Sequence, residues 1–353
     1  MFQTAPASRD AVSAALNGSP GCHTPVGPLA VHSCARFAGV TLRDYTLNAA
    51  TLADCVVRYY ERFGPDAVWV SADTWVTAEA MGARVAFPGA DLPLGGAGDP
   101  LVRSPGDIDR LPPPDPGARG RQPLMLEALG RVRAAIGNDA FIVACFDQYP
   151  FSLACALMGI QPVMTKVIED PGFVEALMER GLEHGIAYAR ALADAGADML
   201  SGGDSPAGLI GPALYAQCAL PFEQRLIAGV QASCAIPVSL HICGNAMPIL
   251  DGMAASGASV LELDHLTDLG MACDVAGPEI ALWGNLDPIG VLAQGSPDAV
   301  RQAAWNALET VRSRGHRRFV LSSGCTLAPD TPPENLDALR QAAREFDQEN
   351  NAP

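Results

Sequence analysis

Short apolar, β-rich runs recur along the chain, most of them separated by helical stretches, and this alternation limits the fold more than any other feature. The runs cover residues 28–34, 67–73, 141–147, 197–204, 236–243, 259–264, 280–285 and 318–323. They are near-continuously apolar rather than alternating, as expected of parallel strands covered on both faces. Val174, Leu177, Met178, Leu182 and Ile186 mark one helical face between two of them. Ser296 and Pro297 open a further helix, which Gly315 would end. The stretch Thr331-Pro332-Pro333-Glu334 reads as a capping box ahead of a last helix carrying Leu336 and Leu339. The predicted fold class is therefore α/β, a single (β/α)8 TIM barrel; a doubly wound open sheet is the competing arrangement. Residues 1–27 read as a short helical lead-in and residues 28–350 as the barrel. Residues 84–122, rich in Gly, Pro and Asp, form a loop insertion after the second strand, either a lid or a surface excursion.

A chain of 353 residues suits one such barrel, and 49% hydrophobic against 18% charged residues excludes a disordered protein. Lys and Arg number 23 and Asp and Glu 39, a net charge of −16 that repels phosphate backbones, so no nucleic-acid partner is expected. No apolar run approaches the roughly 18 residues of a membrane span. The first twenty residues carry Arg9 and Asp10 and no apolar stretch, so the expected location is cytoplasmic. In that setting most of the ten cysteines should be reduced, with Cys55, Cys155, Cys218 and Cys234 acting as small core residues.

Polar residues gather at the ends of the runs: Asp73, Asp147, Asp204, His241 to Asn245, Glu262 with Asp264, Asn285 with Asp287, and Cys325 just after the last. In a barrel these ends converge on the C-terminal mouth, where active sites are built. Singly, each reads as well as a cap or turn residue, the better reading for Asp287. His241 and Cys243 are two apart and project from one face of a strand. With Cys325, 82 residues on, they make a donor set that suits zinc. Glu262 is the first candidate for a fourth ligand and Asp264 the second. Tyr149 is expected near the mouth, His265 in a solvated loop, His23 and His32 in structural positions, and His184 and His316 on the surface. No Gly-rich nucleotide fingerprint follows any strand.

With these residues in place the sequence resembles the methylcobalamin:coenzyme M methyltransferases of the uroporphyrinogen decarboxylase superfamily. The resemblance rests on His241-Ile242-Cys243-Gly244 with the distant Cys325. Asp170-Pro171, the stretch 193–204, Trp283 to Pro288 and Ser323 to Asn335 support it, over roughly residues 28–345. It implies a TIM barrel and a zinc-assisted methyl transfer between a corrinoid, either methylcobalamin or a corrinoid protein, and a thiol such as coenzyme M. It implies His241, Cys243 and Cys325 as zinc ligands. The His-x-Cys…Glu…Cys pattern of the similar cobalamin-independent methionine synthases supports Glu262 as the fourth. Asp204, Asp147 and Asn285 would then be catalytic, and Asp73, Tyr149 and Arg36 would contact the cofactor. Arg36 and Lys166 are the available cations for a sulfonate. Other family members use tetrahydrofolate acceptors or O-methyl, halomethyl or methylamine donors, and these remain open, as do a non-catalytic corrinoid-binding module and a homodimer. The decarboxylases of the superfamily carry Arg-Gln-Ala-Gly-Arg after the first strand. Here Ser33 to Gly39 retains only Arg36.

Overall fold

A computed structural model describes residues 8–350 apart from 88, 90–93 and 96–98. Seven parallel strands lie side by side in chain order: β1 (Ala67–Val70), β2 (Phe141–Gln148), β3 (Met199–Gly203), β4 (Ser239–Ile242), β5 (Val260–Leu263), β6 (Ala281–Leu286) and β7 (Phe319–Ser323). Each overlaps one of the expected runs. Their residues are almost wholly buried, since helices cover one face and the opposite strands the other.

The first expected strand, 28–34, is the exception. The extended backbone lies a few residues earlier and is too short for a ladder. Val26 bridges Leu321 of β7, the Gly27 amide donates to the Leu321 carbonyl at 3.0 Å, and the Asp66 amide donates to the Val26 carbonyl at 2.8 Å. This segment therefore spans the gap between edge strands β7 and β1. Pro28 has no amide to extend the pairing. At Gly27 a Cβ would stand 2.6 Å from the Trp283 ring, so the strand can pass only as glycine. The chain then turns into a helix, His32–Phe37.

The connecting helices follow the expected punctuation. Pro171–Asp194 buries Val174, Leu177, Met178 and Leu182, with Ile186 half-buried. Ser296 caps Pro297–Ser313 by accepting from the Ala299 amide, and Gly315 takes the left-handed conformation just past its end. The capping box at Thr331 does not form: its hydroxyl donates back to the Ala328 carbonyl at 2.8 Å. The lead-in helix, Ser8–Leu16, buries Ala11, Val12, Ala15 and Leu16, and Arg9 pairs with Asp198 just ahead of β3. Within 84–122 a short hairpin pairs Val85–Ala86 with Leu94–Gly95, and a helix spans Pro105–Asp109. Part of the expected lid, residues 88, 90–93 and 96–98, lies outside the described residues. No single helix among the described residues is long and apolar enough to cross a membrane.

Candidate metal centre

Parallel register sets residue 241 of β4 opposite residue 262 of β5. The His241 Nδ1–H donates to the Glu262 carbonyl at 3.0 Å. A carbonyl only accepts, so Nδ1 holds a proton and Nε2 is the ring atom turned to Cys243 Sγ, at 2.9 Å, from which a bound metal ion would displace any proton. Cys325, two residues beyond β7, places its sulfur 3.6 Å from that of Cys243. One donor atom from each of the three residues lies within 4.8 Å of the others. Tetrahedral zinc with bonds of about 2.3 Å separates two thiolates by about 3.8 Å, so the residues fit that ion.

The charge distribution suits a cation too. A hydrogen bond from Cys325, with His241 adding to it, holds the Cys243 thiol far below its ordinary range. The same contact pushes Cys325 well up, so the sulfur pair shares one proton. Burial pulls His241 down, but Cys243 outweighs it and carries the imidazole to about 9.

A cavity of about 290 Å³ opens in front of these donors. Glu262 lines it, its carboxylate held by the Ser239 hydroxyl and its pKa raised by burial. It shares the cavity but is not one of the three converging donors. Asp264 has another task. Its Oδ2 accepts from the Gly244 amide and its Oδ1 from the Leu266 amide, each at 2.9 Å, which shapes the turns after β4 and β5. His265 leans on Asp264 at 3.0 Å.

Asp73 and Asp147 also line the cavity. Asp73 accepts from the Trp75 amide at 2.8 Å and takes both terminal nitrogens of the buried Arg121, whose Nε reaches Glu79 at 2.7 Å. Asp147 has φ of +71°, among the few conformations that Asp adopts more readily than most residues. The β2–β3 register shifts at this point, between Cys145 and Gln148. Asp147 Oδ2 accepts from the Thr77 amide at 2.8 Å and from its hydroxyl at 3.0 Å. Burial, and then the charge of Asp73, push its carboxyl up to about 8.

A native pKa above the unfolded one means that the native state holds a proton the unfolded chain has released. Asp147 therefore stabilises the fold at low pH, and that contribution drains away as pH rises from about 4 to about 8. Asp147→Asn should flatten the fall of stability across this window, measured by urea unfolding at pH 5 and pH 8. Equal slopes in the two proteins would refute the assignment.

Several expected site residues stand elsewhere. Asp204 is fully buried behind the cavity wall, where its Oδ1 accepts from the Ser152 amide and hydroxyl at 2.7 and 2.6 Å. Burial raises it to about 6, and Glu223 beside it is pushed up by burial and by Asp204. Asn285 donates to the carbonyls of Thr267 and Asp264 and braces that loop. Tyr149 is buried, its hydroxyl donating to the Ser239 carbonyl at 2.7 Å. Arg36 lies in a different surface hollow beside Asp330, and Lys166 pairs with Asp170 on an exposed helix. His32 lines the cavity and bonds the Ala72 carbonyl at 2.9 Å. His184 is buried against the Pro112 carbonyl rather than on the surface. Sequence reasoning passed over Arg121, Thr77, Trp69, Trp75 and Ser205. Ser205 accepts from the Cys243 amide at 3.2 Å, and nothing in its sequence surroundings distinguishes it.

A parallel α/β sheet with a His-Cys-Cys cluster at its C-terminal mouth defines a candidate metalloenzyme on a TIM-barrel-like fold. A family model described as uroporphyrinogen decarboxylase (URO-D) matches residues 7–346, and the chain belongs to that family. A uroporphyrinogen decarboxylase of a Synechococcus strain is 31% identical, covering 86% of this chain and 85% of its own. A methylcobamide:CoM methyltransferase of Methanosarcina barkeri is 29% identical, covering 94% and 96%. The solved structure of a methyltransferase from Methanosarcina mazei superposes with a TM-score of 0.87 at 28% identity, covering 96% of this chain and 99% of that one.

Proposed function

We propose that the chain is a zinc-containing, corrinoid-dependent methyltransferase that moves a methyl group between a corrinoid and a small thiol. The observation that carries this reading is the convergence of His241, Cys243 and Cys325 on one point of the mouth cavity. The likeness to the two methanogen methyltransferases supports it. Zinc held by these residues would lower the pKa of an added thiol so that its thiolate exists at neutral pH. The chain's own residues do the rest. The Glu262 carbonyl fixes the imidazole and Ser205 fixes the turn carrying Cys243. In the transfer the sulfur–carbon bond forms as the cobalt–carbon bond breaks, its electron pair staying on cobalt; the thiol proton leaves to solvent. The cavity admits a small molecule, so the corrin ring sits over the mouth, whether as free methylcobalamin or on a corrinoid protein. A tetrahydrofolate acceptor or a different methyl donor is the alternative within the same chemistry.

The decarboxylase reading has less support. Its substrate is a multiply anionic tetrapyrrole, and among the described residues no Lys or Arg lines the cavity. The test is loss of the methylcobalamin absorption on mixing zinc-loaded protein with a thiol. Turnover should fall at least about 100-fold in Cys325→Ala. An unchanged rate in that variant would sink the proposal.

A further inference from the structure

The mouth cavity carries a chemical signature that the metal donors leave unused. Beyond the metal donors its lining holds three carboxyls, Asp73, Asp147 and Glu262, with His32 and several hydroxyls beside them, and Trp69 and Trp75 also line it. Among the described residues no Lys or Arg lines it. The remaining residues, 1–7, 88, 90–93, 96–98 and 351–353, include neither type in their sequence. The nearest buried cation, Arg121, is already committed to Asp73 and Glu79. A net charge of −16 adds a field that repels anions.

We propose that the thiol taken into this cavity bears an ammonium group, held by the Asp147 carboxyl beside Trp69 and Trp75, and that thiols with sulfonate or carboxylate tails are disfavoured. The inference rests on the methyl-transfer reading and names its substrate class. An anionic tail brought in here would lose water and gain no counter-charge, which is costly. Burial holds the Asp147 carboxyl up to about 8, so an ammonium seated beside it displaces its proton and gains a carboxylate partner, next to Trp69 and Trp75. Asp147 is placed for this. Among the described residues every hydrogen bond to its side chain falls on Oδ2, from Thr77, and none on Oδ1. Asp73, neutralised by Arg121, acts as a positioning residue for this wall.

The test is calorimetric titration of the zinc-loaded protein with 2-aminoethanethiol, 2-mercaptoethanol and 2-mercaptoethanesulfonate. The S-methyl ethers of the first and last are titrated as well, since they keep the tails but have no ionisable sulfur. Methyl transfer from methylcobalamin is followed in parallel. We expect the amine to bind at least tenfold more tightly than the sulfonate in both series, with the neutral thiol between them. That order should collapse toward the neutral thiol in Asp147→Asn. Equal or tighter binding of the sulfonate by the native protein would overturn the inference, while its methylation would leave the methyl-transfer reading intact. The expected binding order without methylation of any thiol would support the amine site and overturn the methyl-transfer reading. Failure of all the tails to bind would overturn both. An unchanged amine preference in Asp147→Asn would overturn the role given to that carboxyl.

Discussion

Replacing Cys243 or Cys325 by alanine is expected to lower bound zinc from about one per chain to almost none. The reason is geometric. Three protein donors converge, and removing one leaves a pair that cannot enclose the ion. Either loss also dismantles the shared proton between the sulfurs, which holds Cys243 as the thiolate. The measurement is metal content in protein purified without chelator or added metal, repeated after zinc reconstitution. Thermal unfolding should move little, because both cysteines stand at the mouth while the apolar core lies below it. Full zinc in either variant would remove the basis of the proposed chemistry. No zinc in the native protein, even after reconstitution, would return attention to the decarboxylase reading.

The second large effect concerns Arg121. Its side chain and that of Asp73 are 7% and 6% exposed, and Glu79 completes the group. Removing one partner of a buried pair leaves an unpaired charge out of water, at a cost of about 3–5 kcal/mol. Arg121→Met should therefore destabilise by about that much, lowering Tm by on the order of 5 °C in a chain of this size. Adding Asp73→Asn should recover part of the loss, because the stranded carboxylate is then gone. A single-variant cost below about 1 kcal/mol would show that the cluster is hydrated rather than buried.

The residues that could be read from sequence share a property: local spacing fixes them. His241 and Cys243 share a strand face because side chains alternate with a period of two. Cys325 follows from counting strands, since the last parallel strand must deliver its end to the same mouth. Seven strands were visible as apolar runs because burial on both faces demands such runs. The segment near residue 28 departs from the expected strand because its pairing is set by what it must pass, the Trp283 ring against Gly27. Strand ends were less legible than strands. Asp147 faces the cavity because the ladder shifts register beside it and its backbone turns to a positive φ. Asp204, at the same kind of position, is drawn into the wall by Ser152. No local pattern separates the two. Arg121 is least legible of all, since its partner lies 48 residues away across a stretch with no periodicity.

That distance has a consequence of its own. The Asp73–Arg121 clasp ties the exit of β1 to the start of the helix Gln122–Ile136, so the intervening chain leaves and returns at one fixed base. Closing a longer loop on such a base costs only about 0.6 kcal/mol per doubling of length. Beyond Trp75, Thr77 and Glu79, which belong to the wall and the clasp, the excursion can therefore change length at little cost to the base beneath it. The part of the chain best able to change length is thus hinged directly to the rim of the candidate site.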